Sequence, residues 1–221
     1  MPRQSRIVIP DIAHHITQRG NYRQDVFEEY KDYEQYSAWA EEYFSKYGLD
    51  VLAYCLLSNH VHFIVIPRDE DSLARAFNTL HMRYSQYMNR KHKQRGHLWQ
   101  GRFFSCFMDD EHLYRSIRYV ERNPVRAKMA ENACDYLWSS AWAHAGGETV
   151  KVVIPVDTTS FAMTKSEWRK YLRADDEKMC SEVRLKTQRG LAIGGEKFIK
   201  RIERKLHRPL QCLNPGRPKK Q

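Results

Sequence analysis

The stretch AYCLLSNHVHFIVIP, residues 53–67, decides how this chain folds. Two apolar runs rich in β-branched and aromatic residues meet at Ser58-Asn59, a pair suited to a tight turn. Pro67 closes the second run, because it cannot donate to a strand ladder. The spacing predicts a hairpin of strands over residues 50–57 and 60–66. Side chains alternate faces along a strand, so His60 and His62 point one way and Val61 the other. Two imidazoles on one face can hold one metal ion, but structural and surface pairs share the pattern, so context has to decide.

Working outward, residues 13–17 predict a short strand and Gln18 to Asn21 a turn. Residues 32–47 predict a helix, with Tyr36, Trp39, Ala40, Tyr43 and Phe44 at helical spacing and Gly48 as the stop. Asp71 or Ser72 can cap a long helix reaching about Lys93, with Leu73, Phe77, Leu80, Tyr84 and Met88 as its apolar stripe. Residues 101–108 predict a fourth strand, and Asp109 or Asp110 caps a last helix that ends at Arg122 before Asn123-Pro124. This order is the split βαβ pattern. The expected fold class is α+β: a ferredoxin-like antiparallel sheet with helices on one face, plus an extra helix after the fourth strand. That domain is expected over residues 1–147. Residues 148–221 then form a basic C-terminal appendage, with an apolar connector (150–156), helices over 165–180 and 190–206, and an unpacked tail (213–221).

The chain has 221 residues, of which 42% are hydrophobic and 12% aromatic, enough for a sizeable core despite a mean hydropathy of −0.73. No apolar run approaches the ~20 residues of a membrane span, and the N-terminal MPRQSRIVIPDI lacks a signal-peptide core, so a soluble cytoplasmic protein without a membrane partner is expected. Five cysteines, Cys55, Cys106, Cys134, Cys180 and Cys212, form no CxxC pair, which argues for free thiols. The net charge of +10 is polarised. Residues 72–108 hold seven Lys/Arg and no acid (+7), residues 197–221 hold nine Lys/Arg against Glu203 (+8), and the remainder is −5. Concentrated positive charge is the footprint of a polyanion, with nucleic acid the leading partner.

The last predicted helix contains RSIRYVERNPVRA, residues 115–127. Tyr119 and Asn123 lie four apart on one helical face. From the helix alone, Tyr119 reads first as an ordinary core aromatic. Arg115, Arg118, Arg122 and Arg126 crowd around it, a density suited to a phosphodiester.

Five ordered segments carry a family resemblance: HHITQRGN (14–21), AYCLLSNHVHFIVIP (53–67), HLWQGRFFS (97–105), YVERNPVRA (119–127) and YLWSSA (136–141). Together they resemble the HUH single-tyrosine transposases, and within them the REP-associated tyrosine transposases. Asn123 stands where the insertion-sequence branch usually carries glutamine. The resemblance implies that His60, His62 and the amide oxygen of Asn123 hold Mg or Mn. It implies that Tyr119 is the nucleophile and forms a 5′-phosphotyrosine, in an extra helix that carries the catalytic group. The implied substrate is single-stranded DNA beside a palindromic hairpin, the REP element, processed by nicking and joining. Arg19, Asn21, Arg83, Arg90, Lys91, Lys93, Trp99, Gln100, Arg102, Arg118, Arg122 and Arg126 lie in the motifs or basic stretch that would meet DNA, with Trp99 balanced between base stacking and core packing. His14, His15, His81 and His97 are expected to be structural or surface histidines. Residues 215–220 resemble an AT-hook core, with Arg217 reaching a minor groove. A general base is not assigned, with Arg118 and Arg122 near Tyr119 in sequence, and monomer and homodimer both fit. The rival readings are a non-catalytic DNA-binding module and a metal-dependent phosphodiesterase that activates water.

Overall fold

The computed structural model describes residues 6–146, 154–159 and 162–210. Its elements are β1 (His14–Arg19), α1 (Tyr30–Lys46), β2 (Leu49–Leu57), β3 (His60–Pro67), α2 (Ser72–Lys91), β4 (Phe104–Phe107), α3 (Asp110–Glu121), α4 (Asn123–Arg126), α5 (Ala141–Ala145), α6 (Lys165–Arg173), α7 (Glu177–Arg189) and α8 (Glu196–Leu206). The sheet runs β2-β3-β1-β4 with every pair antiparallel, the order of a ferredoxin-like fold. Among the described residues no helix is long and apolar enough to cross a membrane.

Strand alternation sorts the core. Val61, Phe63 and Val65 pack with Tyr36 and Phe44 of α1 and Phe77, Leu80 and Tyr84 of α2. Ile64, with Ala53, Cys55 and Leu57 of β2, faces the opposite way and meets Ile117, Tyr119 and Val120 of α3. A bulge between Val51 and Ala53 re-phases β2, so Val51 joins the first core while Leu52 and Ala53 join the second. The two crossover helices thus cover one face as expected, and the extra helix takes the other.

The C-terminal segment is built into that second face. Trp168 and Leu172 of α6, Met179, Cys180 and Val183 of α7, and Ile193 share the core that holds Tyr119. Ile193 bridges the end of β4 through its N–H to the Phe107 carbonyl at 2.8 Å and its carbonyl from the Asp109 N–H at 3.1 Å. The Trp168 indole donates to the buried Glu121 carboxylate at 2.8 Å, and Phe198 and Ile202 of α8 pack with Phe107. The division expected at residue 147 therefore does not separate two cores. Residues 165–180 also form two helices rather than one: Ala174 is extended, and Asp176 caps α7 by accepting from the Met179 N–H at 3.0 Å.

Smaller differences have local causes. α1 starts at Tyr30 because Glu29 and Asp32 form a capping box that buries Asp32. β4 is shorter than expected, since residues 97–103 turn back so that the Gln100 N–H reaches the Arg19 carbonyl at 2.9 Å. Asn123 does not stop the helix outright but opens α4, where Pro124 costs no hydrogen bond in a first turn. Of the expected connector, Ile154 is buried in the first core. Residues 147–153 and the tail from 211, with Cys212, Arg217 and the AT-hook-like stretch, lie outside the described residues. Cys55, Cys106, Cys134 and Cys180 are free.

Trp168→Ala removes a buried ring and the donor to Glu121, and is expected to lower the unfolding free energy by ~3–5 kcal/mol in one cooperative urea transition. A separate early transition confined to α6–α8 would show an independent C-terminal domain. A second expectation concerns acid. The His14 ring is fixed neutral between the Ile12 carbonyl at 2.7 Å and the Ile9 N–H at 3.3 Å, and burial holds its pKa at about 4. Burial holds His81, beside the Tyr36 hydroxyl, at about 3. The unfolded chain takes up these protons below about pH 6.5 and the folded protein does not. Stability is therefore complete above that pH and falls as pH drops towards 4, by up to roughly 1.4 kcal/mol per pH unit for each histidine. Urea titrations across pH 7 to 4.5 measure this, and His14→Gln should show a shallower loss; equal slopes would overturn the assignment.

Candidate active site

β3 delivers His60 and His62 to the face covered by α3. Their ring centroids lie 5.0 Å apart. On β1, Thr17 stands opposite His62 and Arg19 opposite His60, which puts His15 on the same face. α3 lays Ile117 and Val120 on the sheet, and this brings Tyr119 edge-on to both His62 and His15, each at 5.7 Å between centroids. The tyrosine is only 4% exposed. Two guanidinium groups attend it. Arg126 lies 4.6 Å from the ring centroid and donates to the Tyr119 carbonyl, while the guanidinium of Arg184 on α7 lies 5.9 Å from the centroid, where its charge is felt by the phenol. Burial raises the Tyr119 pKa, and Arg126 and Arg184 oppose that rise.

Each histidine of the pair spends one ring nitrogen on the protein. His60 Nδ1 meets the Asn59 side-chain oxygen, and His62 Nδ1 lies 2.9 Å from His15 Nε2. His15 Nδ1 in turn lies 2.8 Å from the Thr187 hydroxyl of α7. Among the described residues, neither His60 nor His62 has a hydrogen-bond partner at Nε2. Burial, then the Arg19 charge, lowers the His60 pKa to about 4, and burial holds His62 well below the usual imidazole range, so both rings stay neutral as metal ligation requires. The Asn123 amide group donates to the carbonyls of Tyr119 and Val120, 3.2 Å each, which leaves its oxygen as the open function. Two imidazole nitrogens and an amide oxygen fit a divalent ion such as Mg or Mn. Elsewhere, the ligand atoms of Asp175, Glu177 and Cys180 lie within 4.8 Å of one another. There Asp175 already faces Arg122 at 3.4 Å and burial raises the Cys180 pKa, which makes it a poor ligand set.

The residues expected to meet DNA divide. Arg19, Arg90, Lys93, Gln100 and Arg102 are exposed and Asn21 is half-buried. Lys91 is instead drawn to Asp32 and Glu29, at 2.8 Å each, and Arg83 stacks on Trp39 and pairs with Glu42. Trp99 is 7% exposed, with its indole N–H on the His81 carbonyl, so it is a core residue and not a stacking platform. Arg118 and its neighbour Arg115 are held by Asp176 at 3.1 and 2.8 Å, and Arg122 by Asp175 and the Leu172 carbonyl. Arg118 and Arg122 therefore do not serve the phenol, whereas Arg126 and Arg184 do. His14 and His81 are core histidines and His97 is exposed, as expected, but His15 belongs to the site. Arg184 and Thr187 had no local signal in the sequence. Nor did Tyr22, which stands 92% exposed at φ 50 beside Asn21.

A family model described as "Transposase IS200 like" matches residues 8–123, just over half of the chain. Comparison with curated proteins finds no match. Among solved structures, one described as a REP-associated tyrosine transposase bound to a REP hairpin is similar at 17% identity and a TM-score of 0.54, covering 73% of this chain and 96% of that one. A protein from Deinococcus radiodurans R1 is similar at 15% identity and a TM-score of 0.38, covering 55% and 97%.

Proposed function

The chain belongs to the IS200-like transposase family, and we propose that it is a metal-dependent endonuclease and strand transferase for single-stranded DNA at palindromic REP-type hairpins. The observation that carries this reading is Tyr119 packed edge-on against His62, with Arg126 and Arg184 beside it. The likeness to a structure bound to a REP hairpin supports a hairpin as the element recognised.

The Tyr119 oxygen attacks phosphorus in line as the bond from phosphorus to the 3′ oxygen breaks. The phenol loses its proton, the departing oxygen gains one, and the products are a 5′-phosphotyrosine and a free 3′-hydroxyl. Attack by another 3′-hydroxyl reverses the exchange and joins a new strand, and each step trades one phosphodiester for another, so no ATP is consumed. Arg126 and Arg184 stabilise negative charge on the phenol and the phosphate. His60, His62 and Asn123 would hold the divalent ion, which when bound withdraws charge from a non-bridging phosphate oxygen. Arg19, Asn21, Arg90, Lys93, Gln100 and Arg102, with Tyr22 as a stacking surface, form the path for the strand. Arg217 and the basic tail add duplex affinity. No membrane partner is invoked, and the site works in the cytoplasm at the nucleoid.

Labelled hairpin oligonucleotides with single-stranded flanks, incubated with Mn or Mg, test this on denaturing gels. The wild-type chain should form a covalent adduct that EDTA abolishes. Tyr119→Phe should lose adduct and cleavage by roughly 10³-fold or more, while hairpin binding stays near normal. Cleavage by Tyr119→Phe that leaves free 5′-phosphates would establish the hydrolytic rival, and binding without any wild-type cleavage the non-catalytic one.

A further inference from the structure

We propose that His15, anchored by Thr187 of α7, is the positioning residue that fixes His62 as an Nε2 metal ligand. This rests on the metal-site reading above. His62 can offer Nε2 to an ion only in the tautomer that carries its proton on Nδ1, and a buried N–H requires an acceptor. His15 Nε2 is 2.9 Å away. The two ring planes differ by 11° with centroids 5.1 Å apart, so the bond runs along both rings rather than through their faces. For His15 Nε2 to accept, its own proton must sit on Nδ1, and Nδ1–H then donates to the Thr187 hydroxyl at 2.8 Å. Thr187 can pass its hydroxyl proton to Cys106 Sγ at 3.0 Å. Read in this order, the protons of His62, His15 and Thr187 each have an acceptor, ending at Cys106 Sγ; the reverse order would put the His62 proton on Nε2, where no acceptor lies among the described residues, and would close that nitrogen to an ion.

The chemistry of the choice makes physical sense. Metal-bound histidines commonly donate to a carboxylate, a backbone carbonyl or water. A carboxylate here would place a negative charge within the contact distance of Tyr119 and of an incoming phosphate. A neutral imidazole accepts the same hydrogen bond without that repulsion. Its second anchor comes from α7, which lies beyond the matched residues 8–123, so the C-terminal helix sets the orientation of a ligand that belongs to the family motif.

The test measures Mn²⁺ binding to the full-length protein, by calorimetry and by the electron paramagnetic resonance of free Mn²⁺. His15→Phe and Thr187→Val should weaken binding by roughly 10–100-fold. His15→Gln, whose amide oxygen can take the place of Nε2 as acceptor, and Thr187→Ser should stay within a few-fold of wild type. In cleavage assays the Mn²⁺ concentration for half-maximal rate should rise more than the maximal rate falls. Wild-type affinity in His15→Phe and in Thr187→Val overturns the proposal, and so does equal weakening in His15→Phe and His15→Gln, which would mark packing alone. His62→Ala is the control beneath it: undiminished Mn²⁺ binding in that variant would remove the metal site itself, and the inference with it.

Discussion

Because β3 is hydrogen-bonded to a strand on each side and covered on each face, the polar side chains it carries have little access to water and must be answered from inside the protein. That demand organises the rest of the molecule. His62 is answered by His15 on the neighbouring strand, His15 by Thr187 on a helix far along the chain, and His60, at the hairpin end, by the adjacent Asn59. The apolar half of β3 is what makes the demand strict, since Val61, Phe63 and Val65 hold the strand in one register between α1 and α2.

Charge follows the same logic of local answers. A sum over the sequence gives +10, but many of those charges are spent within the fold. Lys91 neutralises the acidic entry to α1, and Arg115, Arg118 and Arg122 are matched by Asp175 and Asp176 at the break between α6 and α7. Arg126 differs from its three neighbours on this face: its guanidinium makes no ion pair among the described residues and turns to the tyrosine instead. The field at Tyr119 is therefore set by two or three groups at close range and not by the basic clusters that dominate the composition.

What could be read from the sequence was what short-range rules decide. Alternation put His60 and His62 on one face, the apolar stripe gave α2 nearly to its ends, the order of elements led to the ferredoxin-like sheet, and the resemblance of five ordered motifs led to the family. Where the reading stopped, the deciding contact was distant. Trp99 became core because His81 offers its indole a carbonyl. The break in residues 165–180 is set by Asp176, whose carboxylate both caps α7 and pairs with Arg115 and Arg118. His15 looked like an ordinary strand histidine because its partners, His62 and Thr187, lie in other elements. No local pattern in α7 announces that Arg184 and Thr187 reach the site.

The order in which the ribosome makes these parts has its own consequence. By the time Arg126 has been synthesised, the chain holds His15, His60, His62, Tyr119 and Asn123, yet the second face of its sheet has only α3 and its neighbours to cover it, and Thr187 and Arg184 do not exist. The contacts of α7 with His15 and Tyr119 can form only after its residues have been added. A chain that stops ahead of Glu177 would keep every family motif and still lack the hydroxyl beside His15 and the Arg184 guanidinium beside Tyr119. The motifs are therefore complete along the chain well before the surroundings that hold them in place.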